Sequence, residues 1–577
     1  MKMRRLVLTL AAWMCCMAAL AAPAKPGAFT HTQSDGSQVT LEMRGGERNH
    51  SLMTLDGLTV QRTANGDYCY AVGGALSDVR AHDAGNRGIE EQAFIVAYRD
   101  QMSLKAASHR SPRREESNDN PQVPTMGSPR IPIILVNYSD VKFIDQNPLA
   151  TFENQFNEKE YSCLHYFQDQ SRGMFSPQFD IIGPVELPQT REYYGGNIRV
   201  NGQEVDKQLG TMIYDACTGL TGVDFSNYDN DGDGYVDVVV VLYAGVGEAQ
   251  AWRAVPECVW PCQWDMVEAY SWGCSTTGPF QLNGVTIDKF AVFNELDGSN
   301  NNTTRIDGVG TFCHEFGHCL GLPDFYDTAG YSYGMSTWDV MANGCYLNNA
   351  HRPAGYTSYE RHFMGWMDLI DPKANTHYTL KPINSDEGTA VKVVNNANPD
   401  EYYLLEYRVH SGWDEYLPGE GIMILHVDYN KWIWDNNSVN TAPTRQRMTL
   451  IPADNILTSQ SNRTDLWPLG DLDSLTNNSS PEASVYTGRF MNKPITGMTV
   501  DAEQQVAGFW FMQGAAMRGD ADGDGTVMIA DVTTIIDYLI SQEANYIDLE
   551  GADADLDDEI TIADAIAIID YLITNTW

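Results

Sequence analysis

A short histidine-containing stretch constrains the fold of this chain more than any other feature. It reads H-E-F-G-H-C-L-G-L-P-D and runs from His314 to Asp324. Apolar residues recur at helical spacing around it, which predicts a half-buried helix. His314 and His318 are four residues apart, so they lie on one face of that helix, one turn above the other. Two imidazoles in this arrangement can bind one Zn²⁺, and Glu315 beside them can act as general base.

The residues after the second histidine predict where this helix ends. Gly321 suits a left-handed cap, and Pro323 prevents the helix from resuming. The chain must then turn back, which predicts that Asp324 is the third metal ligand and that water takes the fourth position. The alternative is a buried helix whose histidines only satisfy hydrogen bonds, and the added Gly321 and Asp324 argue against it.

A second motif supports a catalytic metal site. The sequence Trp338-Asp339-Val340-Met341 places a methionine where metzincins have a methionine turn beneath the metal. Met341 alone would be read as an ordinary core residue. Tyr346 follows, where a phenol could stabilise the oxyanion of a tetrahedral intermediate, but its spacing differs from that of the metzincin tyrosine. Core packing is therefore the default expectation for Tyr346.

Together these motifs resemble the immune inhibitor A family of secreted bacterial zinc metalloproteases. The family pattern H-E-x-x-H-x-x-G-x-x-D followed by W-D-x-M is matched by His314, Glu315, His318, Gly321, Asp324 and Trp338 to Met341. Weaker similarity extends from about Ile131 to Phe511. The resemblance implies a bacterial exported enzyme with protein or peptide substrates. Cys262 stands where a histidine is expected in relatives, which leaves any secondary role of that position in doubt.

Composition bounds the classes of protein to which the chain can belong. Its 577 residues have room for several domains, and a hydrophobic content of 43% is typical of globular protein. A net charge of −40 argues against nucleic acid or an anionic membrane as partner, and bound Ca²⁺ would neutralise part of it. Two of the eleven cysteines lie in the N-terminal segment discussed next, so an odd number remains and at least one thiol is free.

The first 126 residues predict an export signal and a propeptide. Residues 1–21 have a basic start, an apolar run too short to span a membrane, and a cleavage signature at Ala19-Leu20-Ala21. We therefore expect a secreted protein without a membrane anchor. Residues 22–126 show short alternating strands and end in a polar linker at 109–116, which suits an inhibitory propeptide removed by proteolysis. An ordinary accessory domain is the alternative. Cys69 could block the zinc as a thiolate, although a strand cysteine packed as a small hydrophobe is the more common case.

Residues 127–370 are predicted to form an α+β (α/β-type) zincin or metzincin-like catalytic domain. Two continuous apolar runs, Ile131 to Val136 and Val236 to Tyr243, indicate strands that are buried on both faces. An acidic loop overlaps the second run, and alternating carboxylates with glycines at the turn suit Ca²⁺. A solvated acidic turn is the alternative. The predicted calcium ligands are Asp229, Asp231, Asp233 and Asp237.

Residues 371–514 change to successive strands separated by turn residues, which predicts a β-sandwich. Residues 515–577 then contain a duplicated acidic motif with calcium-loop spacing, each copy followed by a short apolar helix. The predicted ligands are Asp520, Asp522, Asp524, Thr526 and Asp531 in the first loop, and Asp553, Asp555, Asp557, Glu559 and Asp564 in the second. This segment resembles a dockerin, a small all-α calcium-binding module that implies a cohesin-type partner. Asp558 replaces the turn glycine that Gly525 provides in the first loop, so the second site is expected to be weaker.

The sequence therefore predicts an exported zinc endopeptidase with calcium as a second cofactor. The alternatives are a non-catalytic, calcium-dependent extracellular binding protein and a component of a cohesin–dockerin assembly. A structural zinc site would close its fourth position with a protein ligand, whereas this motif offers three ligands and a base.

Overall fold

The computed structural model of the chain describes residues 20–46, 50–72, 75–88, 90–95, 123–200, 203–250, 257–298, 305–457, 461–513, 518–524, 526–542, 547–557, 559–574 and 576–577. The predicted signal peptide up to residue 19, the linker 109–116, Gly525 and Asp558 lie outside the described residues. Within the described ranges, no helix combines the length and the apolar character needed to cross a membrane. The nine cysteines found there are buried and form no disulfide with one another.

The N-terminal region forms two small antiparallel sheets. A two-residue strand, β1 (Leu20–Ala21), precedes them and joins the main sheet described below. The first small sheet contains β2 (Ala28–Thr32), β3 (Gln38–Arg44) and β4 (Ser51–Thr54), and the second contains β5 (Val60–Arg62), β6 (Tyr68–Val72) and β7 (Ala75–Arg80). They share a small core that includes Leu41 and Tyr70. Cys69 is a buried residue of β6 and belongs to none of the metal-binding groups found among the described residues.

A six-stranded mixed sheet lies at the centre of the molecule. Its further strands are β8 (Arg130–Asn137), β9 (Gln178–Glu186), β12 (Val239–Val246), β13 (Cys262–Asp265) and β16 (Lys289–Leu296), in the order β1-β13-β16-β12-β8-β9. The strands β9, β8, β12 and β16 are parallel, whereas β13 runs antiparallel to β16 and β1 antiparallel to β13. Two hairpins flank this sheet, formed by β10 (Asn197–Val200) with β11 (Gln203–Asp206) and by β14 (Phe280–Leu282) with β15 (Val285–Ile287).

Both faces of the central sheet are covered, which explains why its strands are continuously apolar. In β8, Ile133 and Leu135 point into one core while Ile134 and Val136 point into the other. The first core is lined by α1 (Pro148–Glu153), α2 (Cys163–Gln170), α6 (Gly310–Cys319) and α7 (Ser358–Phe363). The second is lined by α3 (Arg191–Gly195), α4 (Leu209–Gly219) and α5 (Met266–Ser271). The region is therefore a mixed α/β domain whose helix α6 carries the histidine motif.

Two antiparallel sheets follow in the chain. One contains β17 (Thr376–Leu380), β23 (Val506–Phe511) and β22 (Ile495–Asp501), and the other contains β18 (Ala390–Asn395), β19 (Asn398–Arg408), β20 (Gly421–Asp428) and β21 (Met448–Leu450). A short helix, α8 (Lys431–Asp435), connects β20 to β21. In β19, Tyr403 points into the core between the two sheets, whereas Tyr402 and Leu404 point into the core that contains α6. The four-stranded sheet therefore packs directly against the domain that carries the histidine motif.

The last residues form a small helical unit. Its helices are α9 (Ile529–Ser541), α10 (Leu549–Ala552) and α11 (Ile562–Thr574). Their core is small and includes Val532, Ile535 and Ile568. With so few buried residues, the unit has little apolar area to stabilise it.

Candidate metal centre

Helix α6 orients both histidines of the motif toward one point. The Nδ1 atom of His314 lies 2.8 Å from the carbonyl oxygen of Val340, and Nδ1 of His318 lies 2.8 Å from that of Leu322. A carbonyl oxygen can only accept, so each Nδ1 carries the proton and each Nε2 presents a lone pair. The two Nε2 lone pairs are therefore fixed in the tautomer that binds a metal.

Asp324 completes the group, as predicted from the turn after the helix. Helix α6 ends at Cys319, and Gly321 has φ +98°, which confirms the left-handed cap. Oδ1 of Asp324 lies 3.1 Å from Nε2 of His314 and 3.3 Å from Nε2 of His318. All three atoms are buried and have no hydrogen-bond partner among the described residues. Three acceptors that face one another repel unless a cation lies between them.

The spacing of these three atoms fits zinc. Ligand atoms at about 2.0–2.1 Å from a tetrahedral Zn²⁺ are about 3.3–3.4 Å apart, close to the separations found here. Burial lowers the pKa of His318. Burial acts to raise the pKa of Asp324, but the two histidines in their protonated forms outweigh it and lower that pKa to about 2. A neutral imidazole and an ionised carboxylate are the forms that bind metal.

A residue far along the chain holds Asp324 in place. The side-chain oxygen of Asn437, just after α8, accepts a hydrogen bond of 2.7 Å from the backbone N–H of Asp324. Its Nδ2 donates to Oδ2 of Asp324 at 2.5 Å. Asn437 is buried and has φ +47°. Asn437 was not predictable from the sequence, because 113 positions separate it from Asp324 and no local pattern marks it.

Met341 lies directly beneath the helix that carries the histidines. A side chain added at Gly317 would approach the sulfur of Met341 to 2.5 Å and the hydroxyl of Tyr356 to 2.9 Å. A larger residue at position 317 would displace Met341 or Tyr356, so glycine between the two histidines lets the helix rest on the methionine. The turn also fixes His314, because the carbonyl acceptor of that histidine belongs to Val340.

The N-terminal segment crosses the metal centre. Oε1 of Glu315 accepts a hydrogen bond of 2.8 Å from the backbone N–H of Ala22. Tyr346 donates its hydroxyl hydrogen to the carbonyl oxygen of Pro23 at 2.8 Å, so its phenol reaches a backbone carbonyl beside the site rather than serving only as core packing. The indole N–H of Trp260 donates to the carbonyl oxygen of Ala22 at 2.9 Å. We call the surface formed by Glu315, Trp260 and Tyr346, on which Ala22 and Pro23 lie, the groove.

The acidic loops bring together only part of the predicted calcium ligands. Carboxylate oxygens within 4.8 Å of one another are supplied by Asp229, Asp231 and Asp237, by Asp520, Asp522 and Asp531, and by Asp553, Asp555 and Asp557. Asp233, Asp524, Glu559 and Asp564 are not in these groups. The carboxylate of Asp564 instead accepts the backbone N–H groups of Ala554 and Asp555, and Thr526 donates its hydroxyl hydrogen to Asp524.

Comparison with known proteins gives an independent indication of what this site is. Residues 136–367 match the family described as immune inhibitor A peptidase M6, catalytic domain. The chain is 22% identical over 293 residues to Immune inhibitor A of Bacillus thuringiensis subsp. alesti, covering 42% of this chain and 41% of that protein. It is 25% identical over 248 residues to the Pre-pro-metalloprotease PrtV of Vibrio cholerae serotype O1 (strain M66-2), covering 39% of this chain and 26% of that protein. The chain thus spans less than half the length of these relatives, and the matched region contains the whole histidine motif.

Proposed function

We propose that this protein is an exported zinc-dependent endopeptidase of the metzincin type. The observation that carries the proposal is the convergence of Nε2 of His314, Nε2 of His318 and Oδ1 of Asp324 in a buried site beside Glu315. Among the residues that the structure describes, no fourth protein ligand joins these three acceptors, and such a set suits a catalytic rather than a structural zinc site. The match of residues 136–367 to a peptidase catalytic domain supports the same reaction class.

The residues of the groove have distinct roles in peptide hydrolysis. Bound zinc would supply a Lewis acid that polarises the scissile carbonyl and acidifies a water molecule. Glu315 takes the proton from that water and delivers it to the leaving amine. Tyr346, which donates to a backbone carbonyl in the groove, is positioned to stabilise negative charge on the carbonyl oxygen of a substrate.

The substrate is an extended polypeptide that pairs with β13. This strand lies next to last in the central sheet, and within the described part of the chain its outer side pairs with the two residues of β1 alone. Strand addition to such an edge binds the main chain of many sequences, which suits a protease acting on proteins. The groove is occupied by the chain's own N-terminal segment, so we propose that residues 22–126 keep the enzyme latent until they are removed.

Calcium has a separate, stabilising role in this proposal. Burial raises the pKa of Asp237 to about 6, and the carboxylates of Asp231 and Asp229 contribute to that rise. Burial and neighbouring acids likewise raise the pKa of Asp522 in the tail. A bound Ca²⁺ removes such repulsion. We propose that residues 515–577 form a calcium-dependent, dockerin-like module with a cohesin-type partner.

Substitution of Glu315 by glutamine tests the proposed function. The linker-cleaved protein should retain one equivalent of zinc in this variant yet lose about 10²–10⁴-fold in casein hydrolysis, because only the base is removed. Glu160→Gln, a change at an exposed glutamate, is the matched control and should hydrolyse casein normally. Near-normal hydrolysis by Glu315→Gln would refute the mechanism. A zinc-loaded, linker-cleaved wild type that hydrolyses no protein would favour the non-catalytic binding protein instead.

A further inference from the structure

The turn that contains Met341 holds two of the three proposed metal ligands. The carbonyl oxygen of Val340 lies 2.8 Å from Nδ1 of His314 and accepts its hydrogen. The carbonyl oxygen of Met341 accepts the backbone N–H of Phe325 at 2.8 Å. Since Phe325 directly follows Asp324, the position of this turn sets the positions of His314 and Asp324 together.

Asp339 holds the turn in its conformation. One oxygen of its carboxylate, Oδ1, accepts the backbone N–H of Met341 at 2.7 Å. Its backbone carbonyl oxygen accepts the N–H groups of Ala342 at 3.1 Å and Gly344 at 2.9 Å. The other carboxylate oxygen, Oδ2, is buried and has no hydrogen-bond donor among the described residues. A buried acceptor without a donor is costly, so the stability of the turn depends on what satisfies Oδ2.

Glu360 on α7 presents a second oxygen of the same kind. Its Oε2 accepts the backbone N–H of Thr357 at 2.5 Å, as part of the N-terminal cap of that helix. Its Oε1 is buried and likewise lacks a donor in the described part of the chain. The side chains of Glu360 and Asp339 lie at hydrogen-bond distance from each other. Because the other oxygen of each carboxylate is already engaged, Oε1 and Oδ2 are the atoms left for this contact.

Two ionised carboxylates cannot form this contact. Both would be acceptors, and two negative charges so close together in a buried site cannot both persist. The nearby cation Arg408 is already ion-paired with Glu406 at 2.6 Å and with Asp414 at 2.9 Å. Burial raises the pKa of Glu360 well above its usual range, and the carboxylate of Asp339 raises that pKa further. One proton between Oε1 and Oδ2 satisfies both oxygens and removes one charge.

We propose that Asp339 and Glu360 share one proton, and that Glu360 is thereby a positioning residue of the metal centre. The inference rests on the proposed function, in which His314 and Asp324 bind zinc. Glu360 acts through Asp339, whose carboxylate fixes the turn, and the turn holds the two ligands. The acid at position 360 therefore supplies the donor that Asp339 needs in a site without water.

Amide substitutions test the shared proton through zinc affinity, measured on the purified full-length protein by competition with a chromophoric chelator. In Glu360→Gln, the amide nitrogen donates to Oδ2 of Asp339, and the amide oxygen still accepts from Thr357. In Asp339→Asn, the amide nitrogen donates to Oε1 of Glu360, and the amide oxygen still accepts from Met341. No hydrogen bond is lost in either variant, so each should stay within about threefold of the wild type.

The double variant Asp339→Asn/Glu360→Gln gives the decisive result. Two NH₂ groups then face each other without an acceptor, and flipping either amide would turn its nitrogen toward the N–H of Met341 or Thr357. We expect the double variant to bind zinc about 10–100-fold more weakly than the wild type, far more than the two single effects combined. It should also unfold at a lower denaturant concentration. Asp339→Asn combined with Glu160→Gln, a change at an exposed glutamate, is the matched control and should equal Asp339→Asn alone.

Infrared spectroscopy covers the case in which the double variant does not fold. At neutral pH, the difference spectrum between the wild type and Glu360→Gln should contain the carbonyl band of a protonated carboxyl, shifted in heavy water. Absence of this band would overturn the proposal, and so would a double variant whose zinc affinity is the sum of the single effects. The infrared and unfolding readouts need no zinc, so they distinguish a failure of the shared proton from a failure of the zinc assignment.

Discussion

Replacing Asn437 with glycine should weaken metal binding although Asn437 is not itself a ligand. The change removes the hydrogen bond that Nδ2 donates to Oδ2 of Asp324 and the one that Oδ1 accepts from the Asp324 backbone. Glycine adopts the φ of +47° at this position without strain, so the backbone is left as it is. The experiment therefore isolates the two hydrogen bonds.

The size of the expected loss in zinc affinity follows from the type of each hydrogen bond that is removed. A hydrogen bond to a charged group contributes about 1.5–3 kcal/mol, and a neutral one about 1 kcal/mol. Loss of a partner that orients a ligand typically lowers metal affinity by about 10–100-fold. Asn437→Asp should lower the metal affinity further, because this substitution places a second carboxylate beside Asp324.

Zinc affinity is measured by competition with a chromophoric chelator on purified protein. Asn455→Gly is the matched control: Asn455 is also left-handed, with φ +59°, but it is exposed. Equal zinc affinity of Asn437→Gly and Asn455→Gly would refute the reasoning that Asn437 positions the third ligand.

Further changes test other parts of the structure. Asp324→Ala should lower zinc occupancy, and a full zinc equivalent by elemental analysis would place the third ligand elsewhere. Tyr346→Phe should reduce kcat of the activated enzyme by about 10–10³-fold with little change in KM. An unchanged kcat would show that Tyr346 only packs beside the site. Circular dichroism in the presence of a calcium chelator should show that the isolated tail, residues 515–577, loses helicity as pH rises above about 4. Folding raises the pKa of Asp522, so deprotonation of that carboxyl favours the unfolded chain. Saturating Ca²⁺ should abolish that loss, and a pH-independent helicity in chelator would contradict it.

Local spacing made much of the site predictable from the sequence. Helical geometry alone places His314 and His318 on one face, and the left-handed conformation at Gly321 follows from the residue type. The continuous apolar run from Ile131 to Val136 likewise predicted a strand that is buried on both faces, as the two cores around β8 show. Three of the predicted carboxylates in each acidic loop also converge, since the loop itself brings them together.

Contacts between distant segments were decided only by the tertiary structure. Asn437 reaches Asp324 because the four-stranded sheet packs on the domain of the metal site, and Ala22 reaches Glu315 across 293 positions because β1 joins the central sheet. The hydrogen bond from the Tyr346 hydroxyl to the carbonyl oxygen of Pro23 likewise joins two segments that are distant in sequence. Sequence fixes interactions whose spacing is set by one helix or turn, whereas interactions between segments depend on how whole sheets pack, and no local pattern encodes that.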